Sequence, residues 1–233
     1  TPIFSARYSP NNSKNIKNLD RRISYNDVYS LDRLGKNSMV EGGLSITMGS
    51  EFVYVDSRQK EIINFSFANV FRNSKDDNLP DKSTLGNKRS DIFGLLKYKP
   101  SNLFDLEYEF SLDKNLDNSN FNLLRTNFTI NNFVTSFEFL EEDNIIGNKS
   151  YITNKSKLAF DKNNFISFET SKNLDKNITD YYNLIYEYKN DCLSAALEYN
   201  KTFYNTDDLK NTENIFFKIK IIPFGQLSSP TLN

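Results

Sequence analysis

The segment LFDLEYEF at residues 103–110 gives the clearest signal of the fold, because its apolar and acidic side chains alternate strictly. In an extended chain, successive side chains point to opposite faces. One face would collect apolar residues and the other acidic residues, as follows: Phe104, Leu106, Tyr108 and Phe110 against Asp105, Glu107 and Glu109. This period of two predicts a β-strand with one apolar and one polar face.

The same alternation recurs along the whole chain, and no long segment shows the three-and-four spacing of an amphipathic helix. We therefore predict an all-β protein of about twelve strands, with Asn-rich connections suited to turns. The predicted strands are 2–9, 41–55, 61–71, 90–99, 103–111, 120–130, 132–140, 152–160, 164–171, 180–189, 192–203 and 213–224.

The predicted connections alternate between short and long. The short ones are 56–60, 99–101, 131, 161–163 and 190–191, and the long ones are 10–40, 72–89, 111–119, 141–151, 171–179 and 204–212. Outer-membrane barrels have this asymmetry, with short periplasmic turns and longer external loops. The pattern favours an antiparallel up-and-down transmembrane β-barrel in the cell outer membrane. A soluble meander or sandwich stays open, because the period alone does not distinguish lipid from a protein core.

The charged phase of these strands predicts a polar lumen. The residues expected to face it are Glu107, Glu109, Glu138, Glu187, Glu198, Lys218 and Lys220. A narrow barrel packed with side chains would need nearly all of these charges paired, so we expect a wide one.

Composition argues against several classes of function. The chain has 29 Lys and Arg against 30 Asp and Glu, which gives no bulk positive field for nucleic acid. It has no His and one Cys, which removes the usual hydrolytic triads and zinc sites. We predict no enzymatic activity and no cofactor or metal. Because the first residue is Thr1, without a signal sequence before it, we expect that processing or truncation removed the true start.

Few individual residues have side-chain chemistry that indicates a binding or reactive site. Cys192 follows the short connection after the tenth strand, where an oxidising periplasm would favour a disulfide over a free thiol. Charged residues in 10–40 are expected to be a solvated loop rather than a binding patch: Asp20, Arg21, Arg22, Asp27, Asp32 and Arg33. The run Glu41-Gly42-Gly43 should open the second strand, and 141–143 should be a polar loop rather than a cation site.

Three places resemble the LPS-assembly protein family LptD. The first is PIFSARYSP at 2–10, and the second runs from DVYSLDR at 27–33 to VEGG at 40–43, similar to a Ser-Leu-x-Arg element followed by Arg-x-Glu-Gly-Gly. Met39 and Val40 precede Glu41, so the Arg expected just upstream is missing. The third is YEYKNDCL at 186–193, then EYNKTF at 198–203 and FFKIKIIPFG at 216–225.

The resemblance implies that residues 1–225 are the C-terminal part of a larger outer-membrane barrel and 226–233 a short tail. Such a protein would insert lipopolysaccharide into the outer leaflet through a lateral seam. The resemblance also implies an internal plug lipoprotein, LptE, and periplasmic Lpt bridge proteins that act through a missing N-terminal domain. Cys192 would form the bond to that domain, although the family often has two adjacent cysteines there and this chain has one.

The last predicted strand, 213–224, would then form one edge of the seam. Its apolar residues and its proline are the candidates for that edge: Phe217, Ile219, Ile221 and Pro223. Pro223 cannot donate a ladder hydrogen bond, so it would either weaken the seam or end the strand. The alternatives are a passive porin or autotransporter-type barrel of about twelve strands and, less favoured without His, an outer-membrane enzyme.

Overall fold

A computed structural model of the chain describes residues 1–34, 41–142, 149–203, 211–221 and 225–228. Almost all of the regular structure there is extended, apart from one 3₁₀ turn at Asp81–Ser83. No helix in this part of the chain is long and apolar enough to span a membrane.

The strands form one sheet in the order of the sequence, from β1 at one edge to β13 at the other. They are β1 Pro2–Ser9, β2 Gly43–Val55, β3 Glu61–Arg72, β4 Arg89–Tyr98, β5 Phe104–Leu112, β6 Ser119–Ile130, β7 Phe133–Glu142, β8 Lys149–Ala159, β9 Asn164–Asn173, β10 Ile178–Lys189, β11 Leu193–Thr202, β12 Thr212–Ile221 and β13 Gly225–Ser228. The prediction of an all-β, antiparallel, up-and-down sheet is confirmed.

The last predicted strand, 213–224, corresponds to β12 at Thr212–Ile221, and the structure adds one further strand after it, β13 at Gly225–Ser228. These four residues pair back onto β12, with Ile221 opposite Gly225 and Lys218 opposite Ser228. Residues 226–228, assigned to the tail, therefore extend the sheet, and β12 is not its last strand. Pro223 lies outside the described residues.

The chain divides into two compact units, which are described separately. The first contains the described residues of Thr1–Ser101 and Leu106–Leu124, together with Glu142. The second contains Asn102–Asp105, Arg125–Glu141 and the described residues from Lys149 onward.

In the first unit, the apolar face of the sheet is exposed. Registers such as Phe4 opposite Met48 and Phe52 opposite Phe65 gather its side chains on one side. Each of the following is at least 36 % exposed: Phe4, Tyr8, Leu44, Met48, Phe52, Phe65, Phe67 and Phe71. On this face the ring of Phe110 also lies where a side chain on Gly94 would be.

Part of the opposite face of the first unit is buried although it is largely polar. Its buried residues include Ser45, Thr47, Ser66, Ala68, Val70, Arg72, Asp91 and Phe93. The residues that cover it belong to the two connections predicted as long, 10–40 and 72–89. The apolar core forms there too, from Ala68, Val70 and Phe93 with loop residues Ile23, Val28, Leu34, Leu79 and Leu85.

The second unit has the same two-sided pattern. In register, Ile166, Tyr186, Leu197 and Phe217 follow one another across β9 to β12. The neighbouring row on the other face is Phe165, Glu187, Ala196 and Lys218. Tyr186, Leu197 and Phe217 are each at least 45 % exposed, so the apolar face is open here as well.

The connections largely keep their predicted alternation, from the long 10–42 and 73–88 to the short 56–60 and 131–132. The contrast fades later in the chain, because 174–177 is no longer than 160–163. Asn131 and Asn177 take positive φ in these turns, a conformation that Asn tolerates well.

Candidate functional site

Two connections of the first unit fold onto the polar face of β2 to β4. We call residues 10–34 the strap and residues 73–88 the facing loop. The Ile16 N–H donates to the Asn78 carbonyl at 2.8 Å, and Ser13 Oγ donates to Asp76 Oδ2 at 2.5 Å. Together with the shared apolar core, these bonds hold the strap and the facing loop as one layer on the sheet.

Glu41 is the centre of a buried cluster between the strap and the sheet. Arg33, at the end of the strap, donates from Nε to Glu41 Oε2 at 3.0 Å and from Nη2 to Oε1 at 2.6 Å. The same guanidinium reaches Ser45 Oγ at 2.6 Å and Thr47 Oγ1 at 3.3 Å on β2. Planar, two-bonded recognition of a carboxylate is the strongest geometry available to Arg.

Arg72, the last residue of β3, joins the facing loop to the same carboxylate. Its Nη1 lies 2.6 Å from Glu41 Oε1, and its Nη2 donates to the Gly42 carbonyl at 2.5 Å and to Asp76 Oδ2 at 3.4 Å. Ser13 Oγ accepts from the Gly42 N–H at 2.7 Å. The strap, the start of β2 and the facing loop thus share one hydrogen-bonded network.

Arg7 brings β1 into the network. Its Nη1 donates to the Glu41 carbonyl at 2.8 Å and lies 3.3 Å from Oε2, and its Nε donates to the Leu31 carbonyl at 3.2 Å. Three arginines therefore share Glu41, with Asp76 as a second carboxylate. Burial lowers the pKa of Arg33 and the charge of Glu41 opposes this change, as expected for a desolvated cation with a paired anion.

The prediction of a solvated loop holds for Asp20 and Asp27, which are exposed, but is wrong for Arg33. The Arg33 side chain is only 1 % exposed, because the Glu41 carboxylate satisfies it inside the layer. Glu41 also does not open a strand, since β2 begins at Gly43, whose positive φ turns the chain into the sheet. The structure thereby brings together Arg33 and Glu41, which belong to the two separate stretches quoted for the family resemblance.

A second group of ion pairs binds the middle of the strap to the facing loop and to β7. Lys82 of the facing loop pairs with Asp20 and lies 3.3 Å from Glu142 Oε1. Arg22 donates from Nε to the same Glu142 oxygen at 3.2 Å and stacks over the Phe121 ring at 5.2 Å. Glu142 belongs to β7, as does Glu141, so neither lies in the polar loop predicted at 141–143, and Asp143 is outside the described residues.

Tyr29 packs the strap against β2 at Gly49. Its hydroxyl is buried and has no hydrogen-bond partner among the described residues. A side chain at position 49 would overlap both this hydroxyl and the Phe67 carbonyl, so only Gly allows so close an approach. Burial, followed by the nearby Tyr25, raises the pKa of Tyr29 to about 12.

The second unit carries a polar groove of about 390 Å³ on the face that bears Glu187 and Glu198. Across it, Arg125 Nε lies 2.8 Å from Glu138 Oε2, and Lys155 Nζ lies 3.0 Å from Glu169 Oε1. Tyr181 donates its hydroxyl to Glu169 at 2.6 Å. Each of these ions has a partner on a neighbouring strand, so the groove is polar without a large excess of either charge.

The residues predicted to face a lumen occupy one face within each unit. Glu107 and Glu109 lie opposite Lys97 and Leu95, on the polar face of the first unit, and both are half-buried. In the second unit, Glu187, Glu198, Lys218 and Lys220 share the polar face. Glu198 accepts from Asn183 Nδ2 at 3.0 Å, and Glu187 from Ser194 Oγ at 3.2 Å.

The residues predicted for a seam lie on the opposite face of β12. Phe217, Ile219 and Ile221 pair with Leu197, Ala195 and Leu193 of β11. Residues Lys218 to Ile221 pair with β13 along the edge of β12 that does not pair with β11. There β12 is therefore an interior strand, and β13 is the edge strand.

Cys192 is exposed and free in the turn between β10 and β11. Its N–H donates to Asn190 Oδ1 at 2.9 Å, which orders the turn. The adjacent Leu193 pairs with Ile221, so this turn lies at the same end of the strands as the last residue of β12.

The sequence interpretation missed Arg7, Arg72 and the groove pairs. A signal was present, because Arg7 and Arg72 fall on the polar phase of β1 and β3. The register that sets both beside Ser45 could not be read from either strand alone.

Comparison with known proteins adds no family to this picture. No protein-family model matches the chain, and no curated protein is significantly similar to it.

Proposed function

We propose that this chain is part of an outer-membrane β-barrel that inserts lipopolysaccharide into the outer leaflet. The observation that carries the membrane part is the exposed apolar face of the sheet. A soluble sheet buries its apolar face, and continuous exposed patches of this kind mark contact with lipid or a partner. In both units, buried or hydrogen-bonded polar side chains occupy the other face.

A closed barrel would account for a sheet whose apolar face is exposed and whose polar face is covered or hydrogen-bonded. If the sheet closes, the apolar face meets lipid and the polar face lines an aqueous lumen. Closure would also remove the free hydrogen-bonding edges that β1 and β13 present in an open sheet. The meander order and the largely alternating connection lengths support the same arrangement.

The lipopolysaccharide part rests on the family resemblance, which gains support from the contact between Arg33 and Glu41. These residues come from two separate motif elements, and their pairing gives both elements one structural role. In this proposal, lipid A passes sideways into the membrane while the sugars cross the polar lumen. No covalent bond is made or broken.

The decisive experiment is depletion of the full-length gene product in the source organism, followed by fractionation of inner and outer membranes. We expect newly made lipopolysaccharide to accumulate before the outer membrane and to be restored by the wild-type gene. Normal arrival of lipopolysaccharide at the cell surface would overturn the proposal. A passive porin would instead show lower uptake of small solutes with unchanged lipopolysaccharide.

Cys192 gives a second test of the proposal. Non-reducing electrophoresis of the full-length product should show a mobility shift that reduction abolishes and that Cys192→Ser removes. Such a shift would place the exposed thiol in a disulfide with a cysteine outside this chain. An unchanged mobility would favour a simpler barrel.

A further inference from the structure

We propose that the strap is a latch that closes the polar face of β1 to β4 to hydrophilic solutes, and that Glu41 is its lock. The inference rests on the proposed function, since a polar face lines a passage only if the sheet closes into a barrel. It adds to that function a built-in closure of one part of the passage.

The burial pattern shows that the strap layer covers the sheet on one side only. On β2, Ser45 and Thr47 are at most 4 % exposed, whereas their outward neighbours Leu44 and Met48 are at least 44 % exposed. The same contrast holds on β3 between buried Val70 and exposed Phe71. These residues of the polar face, which would otherwise contact water in a lumen, therefore lie under the strap and the facing loop.

The layer is assembled from separate connections, so it can come away from the sheet without breaking any strand pairing. Its apolar contacts are those of Ile23, Val28 and Leu34 with the core. Its polar contacts form two groups, at Glu142 and at Glu41, and Glu41 is the carboxylate that receives arginines from β1, from the strap and from β3. Removing the charge of Glu41 leaves three arginines close together, and two of them, Arg33 and Arg72, are almost wholly buried.

Glu41→Gln is therefore the variant that should release the strap. The strap carries its own tryptic sites at Lys14, Lys17, Arg21, Arg22 and Arg33. With the full-length product folded in detergent or lipid, we expect cleavage within 10–34 to accelerate by about tenfold or more, because proteolysis follows the population of the open form. Glu138→Gln, which breaks an exposed pair in the second unit, is the matched control and should leave strap cleavage unchanged.

The functional readout is ion conductance in a planar bilayer. We expect the wild type and Glu138→Gln to conduct little and Glu41→Gln to open larger and longer conducting events. If the glutamine variant fails to fold, Ser13→Ala serves instead, because it removes the bonds to Asp76 and to the Gly42 N–H without stranding a buried charge. A heat-dependent shift in electrophoretic mobility reports whether each variant is folded.

The outcomes separate the latch from the proposed function. Faster strap cleavage with raised conductance supports the latch, even if lipopolysaccharide transport proves normal on depletion. Unchanged cleavage in a folded Glu41→Gln or Ser13→Ala protein would overturn the proposal that Glu41 and its network hold the strap on the sheet. Faster cleavage without conductance overturns closure to solutes, whereas defective lipopolysaccharide transport in the depleted strain would still uphold the proposed function.

Discussion

Arg33 and Glu41 form a bidentate ion pair beneath the strap, with Nε to Oε2 at 3.0 Å and Nη2 to Oε1 at 2.6 Å. Both side chains are at most 3 % exposed. Breaking one partner of a buried pair leaves an uncompensated charge, which usually costs about 3–5 kcal/mol. The free energy of unfolding should therefore be sensitive to the loss of either charge.

Glu41→Gln should lower the free energy of unfolding by about 3–5 kcal/mol, since three arginines lose their shared anion. Glu138→Gln should cost at most about 1 kcal/mol, because its pair with Arg125 is exposed and water screens it. Denaturant unfolding from lipid vesicles measures both values. Equal losses in the two variants would contradict the special position of Glu41.

Gly49→Ala and Gly94→Ala should respond differently to a second substitution. Each is expected to cost about 1–3 kcal/mol through overpacking. Phe110→Leu should relieve Gly94→Ala, since only a movable ring occupies that space. Tyr29→Phe should not relieve Gly49→Ala, because the Phe67 carbonyl also stands in the way. Double-mutant cycles on unfolding free energies provide the measurement, and rescue at Gly49 would contradict the prediction.

Tyr29→Phe should leave stability unchanged or raise it by up to about 1 kcal/mol near neutral pH, because the buried hydroxyl makes no hydrogen bond. The folded pKa of Tyr29 is raised to about 12 from the ordinary 10.0. A raised folded pKa gives stability that is present below pH 10 and is lost as the pH rises towards 12. Wild type should thus lose stability relative to Tyr29→Phe over that range, as unfolding curves at pH 9, 10 and 11 would test.

Leu197→Lys and Ala196→Lys place the same charge on opposite faces of β11. If the apolar face meets lipid, Leu197→Lys should cost about 2–4 kcal/mol near the middle of the membrane. Ala196→Lys should cost much less, because position 196 lies on the polar face opposite Glu187. Unfolding from vesicles, with membrane flotation as a check on insertion, compares them. A similar cost for both would count against a lipid-facing surface.

Asp161 orders the turn between β8 and β9 by accepting the N–H groups of Asn163 at 2.7 Å and Asn164 at 2.8 Å. These backbone and side-chain bonds, the Asn163 N–H foremost, lower the pKa of Asp161. A lowered folded pKa gives stability that is present above the ordinary value and is lost as the pH falls through the folded one. The advantage of wild type over Asp161→Asn, measured by unfolding midpoints at pH 7, 5 and 3, should therefore shrink at low pH. An advantage independent of pH would contradict the prediction.

The sequence by itself determined the strands. Alternation is a local property, so a stretch such as 103–110 fixes its own extended conformation and its two faces whatever it pairs with. The boundaries of most strands followed from the same pattern, since turn residues such as Asn131 stand between them. The strand β13 was not predicted, because its four residues are too few to show an alternating pattern.

The roles of the charged loop residues became clear only from the tertiary structure. Arg22 and Arg33 would be expected in solvent unless a partner compensates their burial, and those partners, Glu142 for Arg22 and Glu41 for Arg33, lie beyond the predicted loop. Arg7, Glu41 and Arg72 meet because strand registers bring distant residues together. Alternation assigns a residue to a face, but register and loop packing choose its neighbours, and the free energy of a buried charge depends on those neighbours.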